Sequence, residues 1–302
     1  MEFESNLPRG LFTASLTPMN DDLSVNYTCL VEHINWLLDN GSNGICLLGT
    51  TGEANSFSIE ERMDVLDEVI DANIEPRKLL VGTGTCVITD TIILTQHAVS
   101  KGVGGVLMLP PFYYKDLSDQ GVLDYFKLVI EGVDDANLKI YLYNFPKMTG
   151  VSFTLPLVKK LIEAFPGVIV GMKDSSGDWK GMQAVCVEIP GFQLFTGTEK
   201  YLLDTLRAGG AGCISATFNA SIQYGANVYT NWQKPEADDL QAKLNEIRKE
   251  FEVDSFISSL KFLFSKWFDN PKWLNVRPPN SLPSASTQAY LLDKFKHEQF
   301  SN

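Results

Sequence analysis

The chain of 302 residues has only three histidines, five cysteines and few basic side chains. His33, His97 and His297 stand far apart, and none lies at ligand spacing from a cysteine or another histidine, which excludes the usual zinc constellations. Cys29, Cys46, Cys86, Cys186 and Cys213 are odd in number and never paired as CxxC, so neither a disulfide framework nor a Cys-His nucleophile is expected. Cys46 and Cys213 fall inside apolar runs and read as small core residues. No apolar run reaches the roughly 20 residues of a membrane span. The opening Met1-Glu2-Phe3-Glu4-Ser5 lacks the basic and apolar segments of a signal peptide. Lys+Arg 25 against Asp+Glu 37 leave a net charge of -12, which argues against nucleic acid and anionic membrane as partners. A small anionic substrate is not excluded, because one or two local donors suffice to hold it. The expectation is a soluble, reduced, cytoplasmic protein without a metal.

What is present is a rhythm. Short apolar runs begin near Gly10, Gly44, Lys78, Gly105, Lys139, Val168, Phe192 and Gly212, about 29 residues apart on average, the length of one strand plus one crossover helix. The runs are continuous in apolar character, as parallel strands covered on both faces should be. Between them lie helical signals. Tyr27–Asn40 carries Leu30, Ile34, Leu37 and Leu38 on one face, and Ser58 is placed to cap a helix with acids in its first turn. Thr89–Lys101, Ser118–Gly132, Thr154–Phe165, Asp178–Glu188 and Lys200–Ala208 repeat the pattern. Eight such units predict an α/β fold, a (β/α)8 TIM barrel, with an open doubly wound sheet as the alternative. Pro235–Val253, Ser255–Phe268 and Ser284–Phe300 read as further helices. The division expected is a barrel over residues 1–232 and a C-terminal helical extension over residues 233–302.

In such a barrel, chemistry belongs at the C-terminal ends of the strands. The sequence places Gly49-Thr50-Thr51-Gly52-Glu53, Pro110-Pro111-Phe112-Tyr113-Tyr114, Tyr143-Asn144-Phe145-Pro146 and Lys173-Asp174-Ser175-Ser176 there. Lys173 ends the buried run Val168–Met172. Burial favours a neutral amine, which can attack a carbonyl and form a Schiff base. A lysine that snorkels to water or pairs with Asp174 is the plainer alternative. Thr50-Thr51-Gly52 offers hydroxyls and backbone N–H groups suited to a small carboxylate, or it is merely a turn. Gly82-Thr83-Gly84 lacks the third glycine of a dinucleotide fingerprint, where Val87 stands. Tyr143 and Tyr114 can each relay a proton or simply pack.

GTTGE at 49–53, YNFP at 143–146 and GMKD at 171–174 together resemble the pyruvate-dependent Schiff-base lyases, the family of dihydrodipicolinate synthase, N-acetylneuraminate lyase and the 2-keto-3-deoxy-sugar-acid aldolases. The likeness runs from about Leu7 to the C-terminus. It implies that Lys173 captures pyruvate as a Schiff base and that Tyr143 acts as general acid and base. It implies further that Thr50 orients Tyr143, and that Thr51 and Gly52 hold the pyruvate carboxylate. On the same resemblance, Ile214 would close over pyruvate through its backbone, and Tyr114, or else its neighbour Tyr113, would reach a neighbouring subunit's site. No cofactor is implied beyond the lysine itself, and a homotetramer, a dimer of dimers, is.

Dihydrodipicolinate synthases continue the tyrosine motif with an arginine for the second substrate's carboxylate. Here Met148 stands at that position, beside Lys147. The expectation is therefore a pyruvate-dependent aldolase acting on a short 2-keto-3-deoxy acid, with pyruvate and an aldehyde or keto acid as partners. Dihydrodipicolinate synthase is the main alternative. A keto-acid dehydratase and a non-catalytic keto-acid-binding barrel are the others.

Overall fold

Each expected strand begins within one residue of where its apolar run opens. A computed structural model describes residues 3–4 and 6–296. In it β1 (Gly10–Ala14), β2 (Gly44–Leu47), β3 (Leu79–Gly82), β4 (Gly105–Met108), β5 (Ile140–Asn144), β6 (Ile169–Asp174), β7 (Gln193–Thr196) and β8 (Gly212–Ser215) pair in parallel. Because β8 also pairs with β1, the sheet is a closed barrel rather than an open one. Around it run α1 (Tyr27–Asp39), α2 (Ile59–Asp71), α3 (Ile88–Ser100), α4 (Asp119–Val133), the single turn α5 (Pro146–Thr149), α6 (Leu155–Ala164), α7 (Trp179–Glu188), α8 (Leu202–Arg207) and α9 (Phe218–Asn231). Then come α10 (Ala237–Glu250), α11 (Phe256–Trp267) and α12 (Ala285–Lys294). His297 and the end of the helix expected over residues 284–300 lie outside the described residues.

The strands alternate between two cores. Phe12, Cys46, Leu80, Leu107, Tyr141 and Phe195 pack together inside the barrel, while Leu11, Ile45, Leu79, Val106 and Ile140 pack outward with the helices. Both faces are buried, so the sequence shows no polar alternation. Tyr141 is the largest ring in the interior, and it fits because Gly105 and Gly171 leave it room. A Cβ on Gly105 would stand 2.6 Å from the Tyr141 ring, and one on Gly171 2.5 Å from it. Burial pushes the Tyr141 phenol far above its ordinary pKa, with a smaller push from Glu4.

Local chemistry starts the helices where the sequence signals them. Ser58 accepts from the Glu61 N–H, and the Glu61 carboxylate accepts from the Ser58 N–H, a complete capping box. Asn219 locks the barrel's closing seam: its Nδ2 donates to Ala14 O and Ala216 O, and its Oδ1 accepts from Leu16 N. That oxygen also lies 2.8 Å from His33 Nε2. Since the amide nitrogen is committed to two carbonyls, the oxygen must accept, and His33 is the neutral Nε2–H tautomer. The extension helices seat an aromatic cluster against this seam. The His33 ring meets Phe264 of α11 edge-on at 4.9 Å and Trp273 at 5.2 Å.

Candidate active site

β5 and β6 carry the two most informative residues to the same level, because Tyr143 and Lys173 are register partners on adjacent strands. Both are buried, and the Lys173 Nζ sits 4.4 Å from the centre of the Tyr143 ring. Burial pulls the Lys173 amine toward its neutral form. The Tyr143 hydroxyl opposes this, with lesser contributions from Cys46 and Cys213, and the lysine pKa lies above its ordinary value. Burial alone would depress the amine, and it is the largest single influence, but Tyr143, Cys46 and Cys213 together outweigh it. Burial pushes both thiols up, and Lys173 pulls the other way on each.

The next pair along the same strands braces them. Asn144 Nδ2 donates to Asp174 Oδ2 at 2.7 Å, Asp174 Oδ1 accepts from the Ser176 N–H at 2.8 Å, and Asn144 Oδ1 accepts from the Phe153 N–H at 3.0 Å. Asp174 thus serves the strand ends, which leaves Lys173 to the cavity and disposes of the plainer pairing.

A cavity of about 560 Å³ opens above Lys173. Thr50, Thr51, Tyr143 and Lys173 all line it, so four of the seven residues singled out in the sequence meet in one place. Gly52 lies just behind the wall, its carbonyl accepting from Thr17 Oγ1 at 2.9 Å. Ile214 is fully buried within the barrel core, and the residues that follow it, Ser215, Ala216 and Thr217, line the cavity instead. Tyr114 is not brought to the cavity. It stands 70% exposed on the loop after β4, stacked edge-on with the equally prominent Tyr113. Met148 lines the mouth from α5, whereas Lys147 points to solvent and is absent from the wall.

Two groups at the site carried no clear sequence signal. Glu199 follows β7, is fully buried, and accepts from the Ser215 hydroxyl at 2.5 Å and from the Thr217 hydroxyl. Arg248, from the last turn of α10, lines the cavity with its Nε 3.7 Å from Glu199 Oε2 and its guanidinium carbon 5.6 Å from the centre of the Phe256 ring. Its helix reads in sequence as charged and amphipathic. The strand-end triplet Gly197-Thr198-Glu199 was the available hint to Glu199. Among the described residues, no group of three or more His, Cys, Asp or Glu side chains could hold a metal ion, and no helix is long and apolar enough to cross a membrane.

A strand-borne lysine against a tyrosine, at the mouth of a closed barrel, sets this geometry among known proteins. Residues 7–293 match the Dihydrodipicolinate synthetase family. The chain belongs to that family. Membership makes it an enzyme of the aldolase/lyase type that this family comprises. An uncharacterized DapA-like lyase from Chloroflexus aurantiacus is 35% identical over 243 residues, 80% of this chain and 81% of that one. A 4-hydroxy-tetrahydrodipicolinate synthase from Coxiella burnetii is 32% identical over 210 residues, 70% of each chain. Among solved structures, YagE, a prophage protein of the dihydrodipicolinic acid synthase family from E. coli K12 in complex with pyruvate, superposes with a TM-score of 0.88 at 27% identity. That superposition covers 95% of this chain and 97% of YagE.

Proposed function

We propose that this family member is a pyruvate-dependent class I aldolase that cleaves or forms a C–C bond in a short 2-keto-3-deoxy acid. The observation that carries the reading is the buried pair of Lys173 Nζ and the Tyr143 ring at 4.4 Å, facing a cavity that Thr50 and Thr51 also line. Pyruvate bound to a family relative of the same fold supports the keto-acid half of the substrate.

The chemistry follows from a lysine as electron sink. The Lys173 amine, once deprotonated, adds to the C2 carbonyl, and loss of water gives a protonated imine. Tyr143 moves the protons in these steps, with Thr50 orienting it and relaying them to the cavity. The iminium withdraws electrons from C3, so the C3–C4 bond breaks as the C4 hydroxyl loses its proton to the tyrosine. An aldehyde leaves, and C3 remains as an enamine. Protonation at C3 and hydrolysis of the imine return pyruvate and the free lysine. Thr51 with the Gly52 N–H holds the keto-acid carboxylate, and the backbone at Ile214 closes over it. Tyr114 lies too far out to serve its own cavity and is the residue that a homotetramer would lend to a neighbour. A cytoplasmic setting suits an enzyme of this substrate class.

Trapping tests the reading. Incubation with pyruvate and borohydride should add one reduced pyruvate to Lys173, seen by intact mass and peptide map. No adduct, or an unchanged adduct in Lys173→Ala, overturns it. Dihydrodipicolinate synthase activity is the second reading, favoured by the relative from Coxiella burnetii and opposed by Met148, which cannot form a bidentate pair with a carboxylate. Faster condensation of pyruvate with aspartate semialdehyde than cleavage of keto-deoxy acids would reverse the order of the two.

A further inference from the structure

Glu199 is fully buried three residues beyond β7, and the chemistry above gives it no step. Its carboxylate reaches the cavity wall at second hand. Oε2 accepts from the Ser215 hydroxyl at 2.5 Å and Oε1 from the Thr217 hydroxyl, and Ser215 and Thr217 both line the cavity. Ser221, in the first turn of α9, donates to the same Oε1 at 3.5 Å.

Donors and acceptors leave this network one arrangement. A carboxylate only accepts and each hydroxyl has a single proton, so the protons of Ser215 and Thr217 are both committed to Glu199. Thr217 thereby forgoes the cap that its place ahead of α9 would allow. Ala216 stands in the wall between them with no polar side chain of its own, and the two flanking hydroxyls fix its place. Glu199 is anchored in turn from α10. Its backbone oxygen accepts from Gln241 Nε2 at 2.9 Å, Gln241 Oε1 accepts from the Leu203 N–H at 3.0 Å, and Arg248 Nε lies 3.7 Å from Oε2. Hydrogen bonds to a charged acceptor in a buried setting are the stronger kind, so the segment after β8 is held chiefly by this one carboxylate.

We propose that Glu199 is a positioning residue for the keto acid: it holds Ser215-Ala216-Thr217 against the cavity, so that the backbone from Ile214 onward meets bound pyruvate. The inference rests on the Schiff-base reading above and adds to it an anchor that lies outside the three sequence motifs. Lys173 and Tyr143 come from other strands, β6 and β5. Glu199 therefore governs how tightly the keto acid is held, and not how fast the imine forms once it is there.

Reductive trapping with pyruvate and borohydride separates the two quantities. Glu199→Gln keeps the volume but replaces one acceptor oxygen with a donor. The pyruvate concentration that gives half-maximal trapping should rise about tenfold, the worth of one charge-assisted hydrogen bond, while the maximal trapping rate stays within about twofold. The pH dependence of trapping should not move. Ser215→Ala combined with Thr217→Val removes both donors, leaves Glu199 its arginine, and should give the same rise. Adding Glu199→Gln to that pair should raise the concentration by no more than about twofold further, because the three groups act as one unit. Thr217→Ser keeps the hydroxyl and should trap pyruvate like the parent. An unchanged half-maximal concentration in Ser215→Ala with Thr217→Val overturns the proposal, even where Glu199→Gln fails to fold. Rises that multiply in the combined variant overturn it too, since carboxylate and hydroxyls would then act separately. A shifted pH dependence in Glu199→Gln does the same by making Glu199 a proton carrier, as does a Thr217→Ser variant no better than the pair without hydroxyls. No adduct in the unaltered enzyme is a different result and strikes the Schiff-base reading itself.

Discussion

Glu53 and Lys261, 208 positions apart in sequence, meet as a fully buried ion pair with 2.5 Å between Oε1 and Nζ. Glu53 sits in the left-handed region at φ +58°, immediately after Thr50-Thr51-Gly52, and its second oxygen accepts from Asn280 Nδ2 at 3.1 Å. Lys261, on α11, also donates to Asn275 O at 3.0 Å. The turn that lines the active cavity is thereby pinned to the helices beyond the barrel. Burial lowers the Lys261 pKa, and Glu53 opposes that shift.

Breaking this pair from one side should be costly. Lys261→Met leaves a buried carboxylate with one amide for company and should destabilise the protein by about 3–5 kcal/mol, measured by urea denaturation. The double variant Glu53→Gln with Lys261→Met removes both charges and should recover a large part of that loss. Pyruvate trapping should need higher concentrations in either single variant because the Thr51-Gly52 turn loses its anchor. A single variant as stable as the parent would show that the pair does not hold the turn.

Tyr143→Phe should change the titration of Lys173 as well as the rate. Burial favours the neutral amine, and the tyrosine hydroxyl is the main force that holds the proton on it. With the hydroxyl gone and the burial kept, the midpoint of the pH dependence of reductive trapping should move to lower pH. The trapping rate itself should fall by a factor of about 10²–10⁴, the usual contribution of positioned acid–base catalysis. A midpoint that stays or rises would mean that the tyrosine does not set the lysine's charge.

His33 should make the protein sensitive to mild acid. It is buried and neutral, and desolvation depresses its pKa to about 4, with the hydrogen bond to Asn219 pulling the other way. The unfolded chain, with its histidine near 6.5, binds the proton first, so stability from this group is full above about pH 6.5 and declines as pH falls toward 4. At pH 5 the loss is about 2 kcal/mol from this residue alone. His33→Gln cannot titrate there. Its urea midpoint should drop less than the parent's between pH 7.5 and pH 5, whatever its starting stability. Parallel slopes would remove His33 as the cause.

Reading the sequence worked where local pattern and tertiary demand coincide. Ser58 caps α2, and the strands start where apolar runs start, because a parallel barrel buries both faces of each strand and writes that burial into consecutive residues. α9 carries no helix signal of its own beyond the eight-unit rhythm: its Asn, Ser, Gly and Thr residues are weak helix formers, and Thr217 ahead of it makes no side-chain cap. The floor of the site was legible as motifs, since Tyr143 and Lys173 are the penultimate residues of β5 and β6 and Thr50 stands three residues past the end of β2. Arg248 was not, because nothing in a charged amphipathic helix says which of its cations the fold turns inward. Nor does a sequence show that Asp174 is engaged by Asn144 and Ser176, which is what frees Lys173.

Gly171 is where the barrel's packing and its chemistry touch. It lies two residues before Lys173 on β6, so the two share a face of the strand. A Cβ there would stand 2.5 Å from the Tyr141 ring and 2.6 Å from the Gln193 backbone oxygen of β7. The ring is hemmed in by Gly105 on its other edge and cannot swing away, and the Gln193 carbonyl belongs to a paired strand. Gly171→Ala must therefore push β6 outward, at a cost of about 1–3 kcal/mol or more for an overpacked core. That displacement also moves Lys173 relative to Tyr143. The expected outcome is a lower urea midpoint together with slower pyruvate trapping, and restoration of both when Tyr141→Leu is added to make room. Gly171→Ala alone with full stability and full trapping would show that the ring has somewhere to go, and that the glycine is not what sets the height of the lysine.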